Sequence, residues 1–75
     1  MPYIAVKAYP RDAETKQRAA EEINAVILKH FSCPPQAVTI SFEDIQPEDW
    51  ENTVVKPEIE PKLDKMFILK GEKKY

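Results

Sequence analysis

The chain has little of what braces small domains covalently. One cysteine among its 75 residues, Cys33, excludes an internal disulfide. A single histidine, His30, and no Cys/His cluster leave no ligand set for a structural metal. No stretch approaches the ~20 apolar residues of a membrane span. The N-terminal region lacks the basic segment and long apolar run of a signal peptide. An excess of either charge is missing as well. Eleven Lys and Arg stand against thirteen Asp and Glu, giving a net charge of −2 at pH 7. With both signs interspersed, no basic field points to nucleic acid. There are no repeats, low-complexity segments or linkers. An unpaired thiol suits a reducing compartment, so a soluble cytoplasmic protein is expected, binding neither membrane nor nucleic acid.

What is present reads as one domain over residues 1–75. A chain this short buries only about 60% of the surface its unfolded form exposes. With disulfides and metals excluded, oligomerisation is the support that remains. Tyr3 to Ala8 alternates, with Ile4, Val6 and Ala8 on one face and Tyr3, Ala5 and Lys7 on the other, which predicts a strand. Pro10-Arg11 turns the chain, and Asp12 suits a helix N-cap with Glu14 in the first turn. Ala19, Ala20, Ile23, Val26, Ile27, His30 and Phe31 recur at three-and-four spacing, predicting an amphipathic helix over Ala13 to Phe31. Ser32-Cys33-Pro34-Pro35 stops it. Val38 to Ile45 reads as a second strand, with Val38, Ile40 and Phe42 alternating against Thr39, Ser41 and Glu43. Strand, helix and strand make a β-α-β unit with a right-handed crossover and parallel strands. Ile59, Leu63, Met66 and Phe67 predict a further helix from Pro57 to Leu69, ended by Gly71, with residues 71–75 a loose tail. The fold class is α/β: a β-α-β unit plus a C-terminal helix. A two-stranded sheet under one helix leaves its edges and other face unsatisfied, and edge-to-edge pairing of two chains completes it.

One residue stands out chemically. Pro2 lies directly behind Met1, at the head of the first strand. Removal of Met1 would turn its ring nitrogen from an amide into a secondary amine, which can accept a proton. Without that removal there is no base. The alternative is that Pro2 merely protects the terminus or opens an edge strand. Arg11 at the turn could pair with Asp12 or Glu14 in solvent. Trp50 could fill a subunit interface.

These features together resemble the tautomerase superfamily, of the short 4-oxalocrotonate tautomerase type. The matching residues are Met1-Pro2 followed by an apolar strand, Arg11 in Pro10-Arg11-Asp12, and the helical turn Thr15-Lys16-Gln17. The strand ending at Ile45 and the aromatic Trp50 match as well, so the resemblance covers Pro2 to Trp50. The segment Ile45-Gln46-Pro47-Glu48-Asp49-Trp50, with Glu58-Ile59-Glu60-Pro61, looks closer to the dimeric phenylpyruvate-type branch than to hexamers with a glycine-rich hairpin tail. The resemblance implies keto–enol proton transfer on a small 2-oxo (enol) monocarboxylate such as phenylenolpyruvate. It implies Pro2 as general base and then acid, Arg11 as carboxylate anchor, Trp50 as pocket wall, and no metal or organic cofactor. An ordinary α-amino group has a pKa near ~8, so apolar burial or nearby cations must keep this more basic amine neutral.

One position departs from the hexameric pattern. Where those enzymes carry a second arginine early in the second strand, this chain has Thr39. A hydroxyl stabilises a developing enolate less than a cation does. A clamp for two carboxylates is therefore not expected, and Lys7 is the one neighbouring cation in the strand. The implied partners are a small carboxylate and a second copy of the chain, with a hexamer as the alternative. Other reactions at such a site, hydration or dehalogenation of a small unsaturated acid, need charged partners not seen here. A non-catalytic dimeric binding module of the same fold is the remaining alternative.

Overall fold

Strand β1 spans Tyr3–Ala8, helix α1 Ala13–Phe31 and strand β2 Thr39–Asp44 in a computed structural model that describes Met1 to Tyr75. The strands pair in parallel, Tyr3 opposite Thr39 through to Ala8 opposite Asp44. Two further bonds extend the ladder: Thr39 N–H donates to Pro2 O at 3.1 Å, and Ile45 N–H to Ala8 O at 2.8 Å. The alternation read from the sequence sets the two faces. Ile4, Val6, Ile40 and Phe42 are half-buried, while Tyr3, Ala5, Thr39 and Ser41 are exposed.

Asp12 occupies the N-cap position of α1 with extended backbone (φ −69°, ψ 161°), yet its side chain makes no capping bond. The half-buried face of α1 is Lys16, Ala19, Ala20, Ile23, Asn24, Ile27 and Leu28. Val26, His30 and Phe31, expected on the packed face, are exposed. Val26 falls at the edge of the arc, and the other two lie in the last turn. The helix stops at Ser32, a non-glycine residue in the left-handed region (φ 52°, ψ 42°), followed at Pro34 by extended backbone.

The final third differs from its predicted form. Instead of an α-helix from Pro57 to Leu69, a π-helix runs over Glu51–Ile59 and a 3-10 segment over Glu60–Lys65. Pro57 explains the wide winding: it lacks an N–H and its ring crowds the carbonyl four residues earlier. Pro61 sits in the first turn of the 3-10 segment, where a missing N–H costs least. Residues 71–75 are not all loose either. β3 (Ile68–Leu69) pairs antiparallel with β4 (Glu72–Lys73) across Lys70-Gly71, both at positive φ (52° and 80°). Positive φ at both central residues is the geometry of a tight hairpin turn, which the glycine at the second position favours. Lys74 N–H closes the hairpin onto Phe67 O at 2.7 Å, and the Phe67 and Tyr75 rings lie 5.7 Å apart.

A single chain makes a poor core. Only Ala37, Ile45 and Val54 are buried, while Phe31, Leu63, Phe67, Ile68 and Tyr75 are each more than half exposed. The accessible surface is 6055 Å². A compact monomer of 8.7 kDa exposes about 4,700 Å². The radius of gyration is 13.8 Å, against roughly 11 Å for a compact chain of this length. The excess surface, about 1,300 Å², is more than the ~800 Å² each partner contributes to a standard interface.

Ser32 gives a test of this backbone. Because only glycine takes the left-handed region without steric cost, Ser32→Gly should stabilise the fold by about 1 kcal/mol. The expected result is a higher urea midpoint at unchanged m-value and fixed protein concentration.

Candidate active site

The parallel ladder sorts the candidate residues to opposite ends. Pro2 and Thr39 share the N-terminal end, joined by the backbone bond from Thr39 N–H to Pro2 O. Pro2 is half-buried and Thr39 exposed. Both therefore lie where β1 begins, although Thr39 stands opposite Tyr3 in the ladder and so on the exposed face of the sheet.

Arg11 and Trp50 lie at the other end. Tyr9, one residue beyond β1, packs edge-on against Trp50 with ring centroids 5.2 Å apart and planes at 86°. Trp50 is half-buried by this contact. The six residues of β1 separate the two groups, and at ~3.3 Å per residue that is a gap of roughly 20 Å. One chain does not bring Pro2 within reach of Arg11 or Trp50.

The Arg11 end holds a pocket of about 100 Å³, open to solvent on one side. Its apolar wall includes Ala8, Ala19 and Phe42, and its polar rim Arg11, Thr15, Lys16, Glu43 and Asp44. The first turn of α1 forms part of this rim, so its unpaired backbone N–H groups add to the positive field. Arg11 is exposed, and its Nη1 donates to Pro10 O at 2.9 Å and to Tyr9 O at 3.4 Å. No carboxylate pairs with it. Glu14, one of its possible partners, is bound by Arg18 instead. Lys16 behaves differently: its Nζ donates to both Asp44 oxygens at 3.2 Å. Sequence reasoning had given Lys16 no role beyond the family-like helical turn and had missed Asp44. The signal was available, because both lie on predicted faces, but only the strand register shows that they meet.

Lys7 is engaged elsewhere. It stands opposite Glu43 in the ladder, on the sheet face turned away from Phe42 and α1. The Glu58 carboxyl lies below its ordinary pKa, first through the Lys62 hydrogen bond and charge and then through the charge of Lys7. Lys7 lies on that face and does not line the pocket. His30 is exposed and Cys33 half-buried and unpaired; neither reaches the pocket.

A parallel β-α-β unit, a proline at the head of its first strand and an arginine at the strand-to-helix turn define a family when set beside known proteins. The family model described as "Tautomerase enzyme" matches residues 2–56. A "Tautomerase PptA" from Pectobacterium atrosepticum is 42% identical over 66 residues, covering 85% of this chain and 87% of that one. Proteins of the same name from Enterobacter sp. and Shigella sonnei are 37% and 34% identical over 73 residues, each covering 95% of this chain and 96% of the relative. The chain belongs to the tautomerase family and is a tautomerase, an isomerase. That sets aside the reading of the fold as a non-catalytic binding module. No helix is long and apolar enough to cross a membrane.

The Tyr9–Trp50 contact can be checked directly. Tyr9→Ala removes an edge-to-face pair, and should lower stability by about 1 kcal/mol and shift Trp50 emission to the red. Because Trp50 is the sole tryptophan, the emission change is unambiguous.

Proposed function

We propose that this tautomerase transfers a proton within a small 2-oxo (enol) monocarboxylate, such as phenylenolpyruvate, at sites shared between two chains of a homodimer. The observation that carries this reading is the separation of Pro2 from Arg11 and Trp50 by the length of β1. A two-fold axis that sets the free edges of two β1 strands antiparallel brings the Pro2 end of one chain beside the Arg11 end of its partner. The same pairing completes a four-stranded sheet and covers surface that the single chain leaves exposed.

In this site Met1 has been removed and the Pro2 nitrogen is a neutral amine. It takes the enol hydroxyl proton and returns a proton to the adjacent carbon, giving the ketone with no net gain or loss of atoms. Arg11 holds the carboxylate through its guanidinium fork, which is free of competing acids. Its charge and the start of α1 also disfavour protonation of the nearby amine. Trp50 and Tyr9 wall the site and limit water around the base. Thr39, at the same end of the ladder as Pro2, offers a hydroxyl to the substrate oxygen. One cation and one hydroxyl suit a monocarboxylate better than a diacid.

Intact mass establishes whether the purified chain begins at Pro2. In that form, Pro2→Ala should lower kcat for phenylenolpyruvate ketonisation by about 10²–10⁴. Arg11→Lys should mainly raise KM, by about tenfold, because the bidentate geometry is lost. Subunit mixing tests the sharing of sites. Pro2→Ala and Arg11→Gln dimers, each inactive, should recover about a quarter of wild-type activity once exchanged, since half the dimers are mixed and each has one intact site. No recovery would mean that Pro2 and Arg11 do not act across the dimer.

A further inference from the structure

The two cations at the α1 end of the sheet are not equivalent, and the difference has a consequence for selectivity. Arg11 meets only backbone carbonyls. Lys16 is tied to Asp44 through both carboxylate oxygens, with the side chains only 29% and 41% exposed. All three line the same pocket. Lys16 also sits in the first turn of α1, where the helix dipole and neighbouring Arg11 both disfavour a positive charge. A lysine there needs a counter-charge, and β2 supplies one only because its last residue is acidic and faces α1. Glu43, the adjacent acid, also lines the pocket, but it stands opposite Lys7 in the ladder and forms an ion pair with neither Arg11 nor Lys16.

We propose that the Lys16–Asp44 pair sets the charge of this pocket and so the class of anion it accepts. Asp44 neutralises Lys16, leaving one free cation and a site for one carboxylate. Lys16 in turn neutralises Asp44, which would otherwise compete with the ligand for Arg11. Lys16 is a positioning residue and Asp44 a specificity-determining one. The inference rests on Arg11 being the carboxylate anchor, and goes beyond it by assigning the choice between mono- and dicarboxylates to a pair with no part in the proton transfer.

The two halves of the pair predict opposite effects. The test is equilibrium binding of 3-phenylpropionate and of phenylsuccinate, a mono- and a dicarboxylate of like shape, to the full chain, followed by Trp50 fluorescence. Lys16→Gln leaves Asp44 uncompensated, and should weaken 3-phenylpropionate binding about tenfold, the size of one partly exposed charge interaction. Asp44→Asn frees Lys16, and should tighten phenylsuccinate relative to 3-phenylpropionate by about tenfold. The double variant Lys16→Gln/Asp44→Asn removes both charges, and should restore 3-phenylpropionate binding to within about threefold of wild type.

A pair that served only to staple α1 to β2 would behave otherwise. Both single variants would weaken both ligands alike and the double variant would recover nothing; that pattern overturns the proposal. Arg11→Gln separates the two levels of the argument. If it leaves 3-phenylpropionate binding unchanged, the anchor assignment fails and the inference falls with it. If it abolishes binding while Lys16→Gln has no effect, the anchor stands and the role of the pair alone is refuted.

Discussion

The parallel pairing of β1 with β2 is the constraint on which everything else depends. Its register puts Thr39 opposite Tyr3 at one end and Asp44 opposite Ala8 at the other. A parallel pair cannot be closed by a tight turn and requires a long crossover, which α1 provides. Because the crossover leaves from the C-terminal end of β1, Arg11 and the start of α1 must lie one strand length from Pro2. The distance between Pro2 and Arg11 is thus a property of the topology. No side-chain rearrangement within one chain removes it.

The exposed surface follows from the same arrangement. Two strands and one helix bury one face of a narrow sheet, while both sheet edges and the opposite face remain open. The C-terminal hairpin adds to this. An isolated two-stranded hairpin is marginal in water, and this one holds together through the Phe67–Tyr75 contact and the Lys73 ammonium over the Tyr75 ring at 5.2 Å. Its Phe67 and Ile68 side chains stay open to solvent. The homodimer proposed above would cover this surface and bring Pro2 of one chain near Arg11 of the other.

Charge is distributed in this fold by sheet face. Lys7 stands opposite Glu43 in the ladder on one side, while Lys16 and Asp44 meet on the side of α1. Arg11, on the turn and beyond both strands, is the cation near the pocket that no acid neutralises. The exposed i,i+4 pairs Arg18–Glu14 and Lys62–Glu58 contribute little to stability, since solvent screens them. The Arg18–Glu14 pair does occupy one acid that could otherwise have bound Arg11.

Much of this was legible locally. The period of two fixed β1 and β2, the three-and-four spacing fixed α1, and Pro2, Arg11 and Trp50 were visible as chemistry-bearing residues with family-like spacing. The C-terminal third was not, because the apolar spacing of Ile59, Leu63, Met66 and Phe67 fits an α-helix while Pro57 and Pro61 forbid its regular ladder. The hairpin hid in a two-residue turn whose lysine gives no glycine-like signal. By itself, then, the sequence determined the β-α-β elements and the family, since these follow from backbone propensity, apolar spacing and the residues shared with relatives. Only the tertiary structure decided which groups are neighbours. Strand direction and register, set by long-range pairing, separated Pro2 from Arg11 and brought Lys16 onto Asp44.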